Sequence, residues 1–481
     1  MRIARRVGAS ALCVSLAAGC SAPAPDPKIE LAVWVPCGSG VECSTLTVPF
    51  DYTRPDDRRF TIPLIRIPSK ADKPKLLLTN PGGPGISGVK DLRSGTEYFE
   101  RFVDAYTVVS FDPRGVGGSV PAVQCLDDRQ KAAIFDQPSI PTSDAEITRA
   151  TELAAGIGEA CRAKVGDALS HVGTADVARD MDSLRKAMGF DRISYLGFSY
   201  GTFLGALYAD QFADKTERMV LDSVMSPALT YEQVRHDQAE GMQASVAAFV
   251  DDCLSRAECP LSGSQDAALQ QISDIIGSLD EKPYRSADGR TLSGARMLAL
   301  VESAQYSPHE GWASLRETLS HAVNGDWPAV IDVAYSPDLM VNPADSEYLS
   351  VVCTDFQTRR DPAAPARLAP QWAAQSPISG GNRAWSLAPC ESWPVSAVRE
   401  PGPVDTRGAG PTLILNTTGD PATPLVWAQS LHDQISDSTM VVVPAPGHIA
   451  SSQSVCAEDV LTVFLMTGAL PPDRVSDCPP G

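Results

Sequence analysis

The chain has 481 residues, of which 43% are hydrophobic and 21% charged, with a formal net charge of −19. This composition excludes a disordered chain, and so acidic a balance excludes nucleic acid as an expected partner. The length is that of a large core with an inserted second region.

The first nineteen residues carry Arg2, Arg5 and Arg6, an apolar stretch from Val7, and small residues up to Gly19-Cys20. This resembles a bacterial lipoprotein signal, which would be removed to leave Cys20 lipidated and the chain anchored to the outer face of the membrane. The alternative is secretion after cleavage at a small-residue site. The apolar stretch is too short for a permanent membrane span. Residues 20–30, with three prolines between Ser21 and Pro27, read as a tether. Ten cysteines follow Cys20, an even number that in an exported chain reads as five disulfides. The spacings suggest sequential neighbours, Cys37 with Cys43 and Cys253 with Cys259 closing the shortest loops. There is no C-x-x-C and no histidine beside a cysteine pair, so neither a metal nor another cofactor is expected.

Leu76–Thr79 and Tyr106–Phe111 are short apolar runs bounded by turn residues, the pattern of buried parallel strands. Ala175 to Met188 has Val177, Met181, Leu184 and Met188 at helical spacing, and Gly189 ends it. Strands follow at Arg192–Leu196 and Met219–Ser223, with a helix from Thr202 to Ala209 between them. This alternation predicts an α/β fold with a mostly parallel sheet. From Ser226 the pattern turns helical over Tyr231 to Cys253, Ser264 to Leu279, Gly294 to Gln305 and Trp312 to Val323. Pro362 to Pro370 reads as a loop. Strands return at Pro411–Asn416 and Thr439–Val443. The predicted organisation is a signal peptide (1–19), a tether (20–30), a core (31–225), a helical lid (226–405) and the rest of the core (406–481).

Gly197-Phe198-Ser199-Tyr200-Gly201 lies between a strand and a helix, so Ser199 would stand on a sharp turn at the carboxyl end of the strand. A serine needs a base within hydrogen-bond reach, and the base needs an orienting carboxylate. Asp420 and His448 each follow one of the returning strands, which gives the Ser, Asp, His order of an α/β-hydrolase triad. Asn80-Pro81-Gly82-Gly83-Pro84-Gly85 follows the strand at Leu76 and lacks the Gly-Lys-Ser/Thr of a phosphate loop. The expected oxyanion donors are the N–H groups of Gly83 and Tyr200.

The Asn80–Gly85 loop, the Phe111-to-Ser119 segment and the Ser199 elbow resemble the prolyl aminopeptidase family of α/β-hydrolases. The chain as a whole is similar to the actinobacterial tripeptidyl aminopeptidase group. That likeness rests also on Trp34-Val35-Pro36-Cys37, Val352-Cys353-Thr354-Asp355, Cys390-Glu391-Ser392-Trp393-Pro394 and Gly447-His448 followed by Cys456 and Cys478. It implies an exported serine exopeptidase acting on peptides with free N-termini. Pro81 stands where prolyl aminopeptidases have His, which weighs against release of single prolines. A carboxylesterase of the same fold is the alternative, and a binding lipoprotein without catalysis is a third reading. A substrate ammonium needs a carboxylate in the lid, for which Asp355 and Glu391 are the candidates, with Thr423 a further pocket residue. Arg114 is expected to support its own loop.

Overall fold

The structure is a computed structural model and describes residues 29–54, 58–336, 345–356 and 358–481. The leader, Cys20 and the tether up to residue 28 lie outside the described residues.

The chain opens with β1 (Glu30–Leu31), β2 (Val35–Gly38), β3 (Val41–Pro49) and β4 (Arg59–Ile67). It continues through β5 (Lys75–Asn80), β6 (Tyr106–Phe111), β7 (Ile193–Phe198) and β8 (Thr216–Asp222). A two-stranded hairpin, β9 (Tyr284–Arg285) and β10 (Thr291–Leu292), lies apart in the helical region. The main sheet resumes with β11 (Thr412–Gly419), β12 (Ser438–Pro446) and β13 (Val475–Asp477). Its order is β1-β3-β4-β6-β5-β7-β8-β11-β12-β13, with β2 beside β3. From β6 through β13 every pairing is parallel, and β4 joins β6 antiparallel.

Parallel strands buried on both faces need apolar side chains in both directions, and β5 shows this in three consecutive leucines. Leu76 and Leu78 enter the cluster on one face and Leu77 the cluster on the other. The first face carries the helices Thr174–Ala187, Tyr200–Gln211 and Leu425–Gln434; the second carries Gly88–Ser94 and Val455–Thr467. β3 and β4 are absent from the strands expected from sequence, although their burial alternates with the period of two that marks strands with one face buried.

Between β8 and β11 the regular elements of the described residues are helices apart from the small hairpin, and Val246, Phe249, Ile272, Met297, Leu315 and Val330 belong to a separate apolar cluster. The expected loop at Pro362 to Pro370 is instead the start of the helix Ala364–Gln375, with Pro365 in its first turn, where a missing N–H costs nothing. The helices Asp128–Phe135 and Asp144–Val165, from the segment assigned to the core, pack with this region. A Cβ on Gly158 would lie 2.7 Å from Pro394 Cδ and 3.3 Å from the Trp393 ring. The capping box of Ser143 and Glu146 that starts the longer helix is a signal present in the sequence. Five disulfides pair sequential neighbours: Cys37–Cys43, Cys125–Cys161, Cys253–Cys259, Cys353–Cys390 and Cys456–Cys478. Their number fits an oxidising compartment. Among the described residues no helix is long and apolar enough to cross a membrane.

Arg114, fully buried, forks onto Asp180 at 2.7 and 2.5 Å and donates to the carbonyls of Pro49, Phe50 and His171. It thus ties the loop after β6 to the end of β3 and to the helix Thr174–Ala187. Tyr52 donates its hydroxyl to the same carboxylate at 2.8 Å. Removing one member of such a pair leaves the other charged and buried. Asp180→Ala should therefore cost about 3–5 kcal/mol in denaturant unfolding, and a loss below about 1 kcal/mol would show that the pair is dispensable.

Candidate active site

β7 ends at Phe198 and the next helix begins at Tyr200, so Ser199 alone makes the turn. Its φ of 54° and ψ of −123° are a state that costs a non-glycine residue about 1–3 kcal/mol. The turn is fastened by the Ser199 N–H donating to Asp222 O at 2.9 Å and by Thr202, whose N–H and hydroxyl donate to Ser199 O at 2.9 and 2.6 Å. The Tyr200 N–H is the first of the orphan donors at the positive end of this helix.

The Asn80–Gly85 loop passes against this turn with no room for side chains. A Cβ on Gly82 would lie 2.6 Å from Phe198 O and 3.0 Å from Ser199 Cβ; one on Gly201 would lie 2.5 Å from Asn80 O. Gly82 and Gly83 have φ of 102° and 101°, which glycine alone adopts without strain. Asn80 Oδ1 accepts the Gly82 N–H at 3.0 Å.

Asp420 follows β11 and His448 follows β12. His448 Nδ1 lies 2.9 Å from both Asp420 carboxylate oxygens. Asp420 Oδ1 also accepts the N–H groups of Ala422 and Thr423 at 2.9 and 2.8 Å. Thr423 Oγ1 stands 3.3 Å from His448 Nδ1. The helical region reaches the same ring: the His448 N–H donates to Tyr306 O at 2.9 Å, and the Tyr306 ring meets the imidazole edge-on at 5.4 Å. Asp222, buried at the end of β8, accepts from the Ala450 and Ser451 N–H groups and the Ser451 hydroxyl at 2.8, 3.1 and 2.5 Å. It fixes the loop that carries His448. Desolvation outweighs these bonds and pushes its carboxyl up to about 6. Sequence reading did not single out Asp222; its place at the end of the strand beside the elbow is the available signal.

Ser199, Gly83, Thr423 and His448 line one cavity of about 380 Å³ between the sheet edge and the helical region. Ile134, Leu153, Ile157, Met225 and Leu298 give it apolar walls, and Trp385 is part of its lining. Besides His448, the ionisable acidic and basic residues of the lining are Arg235, Glu302, Asp345 and Arg383.

Asp355 and Glu391 are not part of that lining, which corrects their expected role. Asp355 is fully buried and accepts from Thr174 N and Oγ1 at 2.7 and 2.5 Å. Glu391 accepts the Asp361 N–H at 2.7 Å. Cys353–Cys390 does bring their segments together, but both carboxylates cap backbone instead of facing the cavity. Among the described residues His236, Asp237 and Glu240 could together hold a metal ion, outside the cavity. Asp237 there already accepts Trp427 Nε1 at 2.7 Å.

A nucleophile elbow on a parallel sheet, with an acid and a histidine after the two later strands, is the α/β-hydrolase arrangement. Residues 376–478 match the family model described as TAP-like protein. The chain is 31% identical to Carboxylesterase B of Mycobacterium tuberculosis H37Rv, across 91% of this chain and 86% of that one. It is 29% identical to Serine protease Hip1 of the same organism, covering 93% and 91%, and 29% identical to Tripeptidyl aminopeptidase of Streptomyces coelicolor, covering 89% and 81%. The chain belongs to the tripeptidyl aminopeptidase-like group of α/β-hydrolases and is a serine hydrolase.

Desolvation raises the Asp355 carboxyl from 3.8 to about 7. The native state then keeps a proton that the unfolded chain releases near pH 4, so between these values stability falls as pH rises. Asp355→Asn should remove that slope between pH 4 and 7 in thermal unfolding while leaving KM for peptides unchanged. A raised KM with an unaltered slope would restore the substrate-binding role.

Proposed function

We propose that the protein is an exported serine exopeptidase that releases short peptides, tripeptides foremost, from free N-termini. The observation that carries this is His448, held by the buried Asp420 carboxylate and lining the same cavity as the strained Ser199. Ser199 attacks the scissile carbonyl, and His448 takes its proton and returns it to the leaving amine. Asp420 holds the imidazole with Nδ1 protonated and stabilises the imidazolium. The N–H groups of Gly83 and Tyr200 receive the oxyanion, and water then releases the acyl group from Ser199 by the same relay. Relatives named tripeptidyl aminopeptidase support the three-residue length.

The substrate ammonium is assigned to Glu302. Its Oε2 is held by Arg383 Nη2 at 2.7 Å, while Oε1 is occluded and has no hydrogen-bond partner among the described residues. An unsatisfied carboxylate oxygen on a cavity residue is a place for a donor carried by the substrate once the side chains that cover it shift aside. Carboxylesterase activity is the second reading, favoured by the apolar walls and by the relative named Carboxylesterase B. Lipidation of Cys20 is proposed as the membrane tether, with plain secretion as its alternative.

Ser199→Ala should abolish turnover of every substrate, and retained activity would overturn the assignment. Fluorogenic tripeptides with free N-termini should be cleaved at least tenfold better than their acetylated forms, and Glu302→Gln should shrink that ratio mainly through KM. Equal cleavage of free and acetylated substrates, or turnover of esters alone, would favour the esterase. Cys20→Ala should move the protein from the membrane fraction to the medium; unchanged partitioning would remove the lipid anchor.

A further inference from the structure

Arg235 lines the catalytic cavity and is 8% exposed. Its hydrogen bonds are to neutral partners: Nε donates to Ser386 Oγ at 2.6 Å, and Nη1 to Gln238 Oε1 at 2.7 Å and to the Tyr348 hydroxyl at 3.5 Å. Among the described residues it has no carboxylate within ion-pair distance. Among the described residues Nη2 has no hydrogen-bond partner and it is not one of the occluded unpartnered atoms, so it keeps exposed surface on a residue that lines the cavity. Gln238 in turn donates Nε2 to Ala422 O at 2.8 Å, which holds the guanidinium one side chain away from the Asp420 loop.

The other cavity charges are already answered. Glu302 pairs with Arg383, and Asp345 accepts the Glu347 and Tyr348 N–H groups at a helix N-terminus. A buried cation whose neighbouring carboxylate is already paired with a second guanidinium is costly, and a substrate anion that meets it forms a charge-assisted bond with little competition from water. The ammonium assigned to Glu302 sharpens the point, because it adds a further positive charge where two guanidiniums already share one carboxylate. A carboxylate on the same substrate removes that excess.

We propose that Arg235 is an anion-binding residue of the catalytic cavity and that the favoured acyl group carries a carboxylate. In the exopeptidase reading on which this rests, that group is an aspartate or glutamate within the released peptide. The free Nη2 of the guanidinium can donate to such a carboxylate in a charge-assisted bond, which a neutral amide isostere cannot match.

The test is a set of free tripeptidyl aminomethylcoumarin amides with Glu or Gln placed at each of the three positions in turn, run beside succinyl and succinamoyl aryl esters. At one peptide position Glu should exceed Gln at least tenfold in kcat/KM, mostly through KM. Arg235→Gln should erase the ratio and Arg235→Lys should keep part of it. Equal rates for Glu and Gln at every position in the wild-type enzyme would overturn the proposal, and that result needs no variant to fold. A ratio that survives in Arg235→Gln would also overturn it. If only the esters turn over, the exopeptidase reading fails by itself, and the succinyl-to-succinamoyl ratio then decides for or against Arg235.

Discussion

The contact between two backbones, the Asn80–Gly85 loop and the Ser199 turn, is the constraint to which the rest of the site is fitted. Ser199 is held at a positive φ that the isolated dipeptide disfavours, and such a state persists only where its surroundings over-determine it. Here they do so from three sides: β8 accepts the Ser199 N–H, Thr202 closes the helix start, and Gly82 fills a space too small for a Cβ. The same closeness that demands glycine brings the loop backbone against the start of the helix, where a Cβ on Gly82 would lie 3.3 Å from Tyr200 N. The strained turn at Ser199 and the approach of the loop thus have one structural cause.

The His448 side is built by a different rule, burial with every carboxylate oxygen occupied. Asp420 is fixed by Ala422, Thr423 and the imidazole, and Asp222 by three donors from the segment after His448. One carboxylate faces the histidine and the other holds the loop beneath it. Their distinct surroundings separate the two roles, although both stand at the same edge of the sheet.

The parts of the site legible in the sequence are those whose signals are local. The elbow sits between an apolar run and a helical pattern, and Asp420 and His448 each follow a run of buried strand residues, so position along the chain reports position on the sheet edge. β3 and β4 carried an alternating pattern that a search for continuous apolar runs passes over. The helix at Ala364 carried a proline that marks a first turn as readily as a loop. Glu302 and Arg383 are another matter. They are 81 residues apart and meet only because of how the inserted helices pack. No local pattern separates Glu302, whose Oε1 lacks a partner among the described residues, from Asp355, which caps a helix; only the fold shows that Glu302 lines the cavity and Asp355 does not.

That packing also shows why the inserted helices cannot be treated as a separable cover. Tyr306 accepts the His448 N–H and braces its ring, a Cβ on Gly447 would lie 2.7 Å from Pro308 Cδ, and one on Gly85 would lie 2.9 Å from Tyr348 N. The Asn80–Gly85 loop and the loop of His448 are therefore each in contact with the region that shapes the cavity. A change in the insertion that alters which acyl group fits will be felt at the reacting atoms, because Tyr306 and Tyr348 line the cavity and also touch those loops. The cavity's charge arrangement belongs to the same design. The chain is strongly acidic overall, yet the guanidiniums of Arg235 and Arg383 are buried along the cavity that Ser199 and His448 line. Net charge bears on solubility and long-range attraction; the local field of the cavity is set by the few charges that line it, because burial weakens their screening by water.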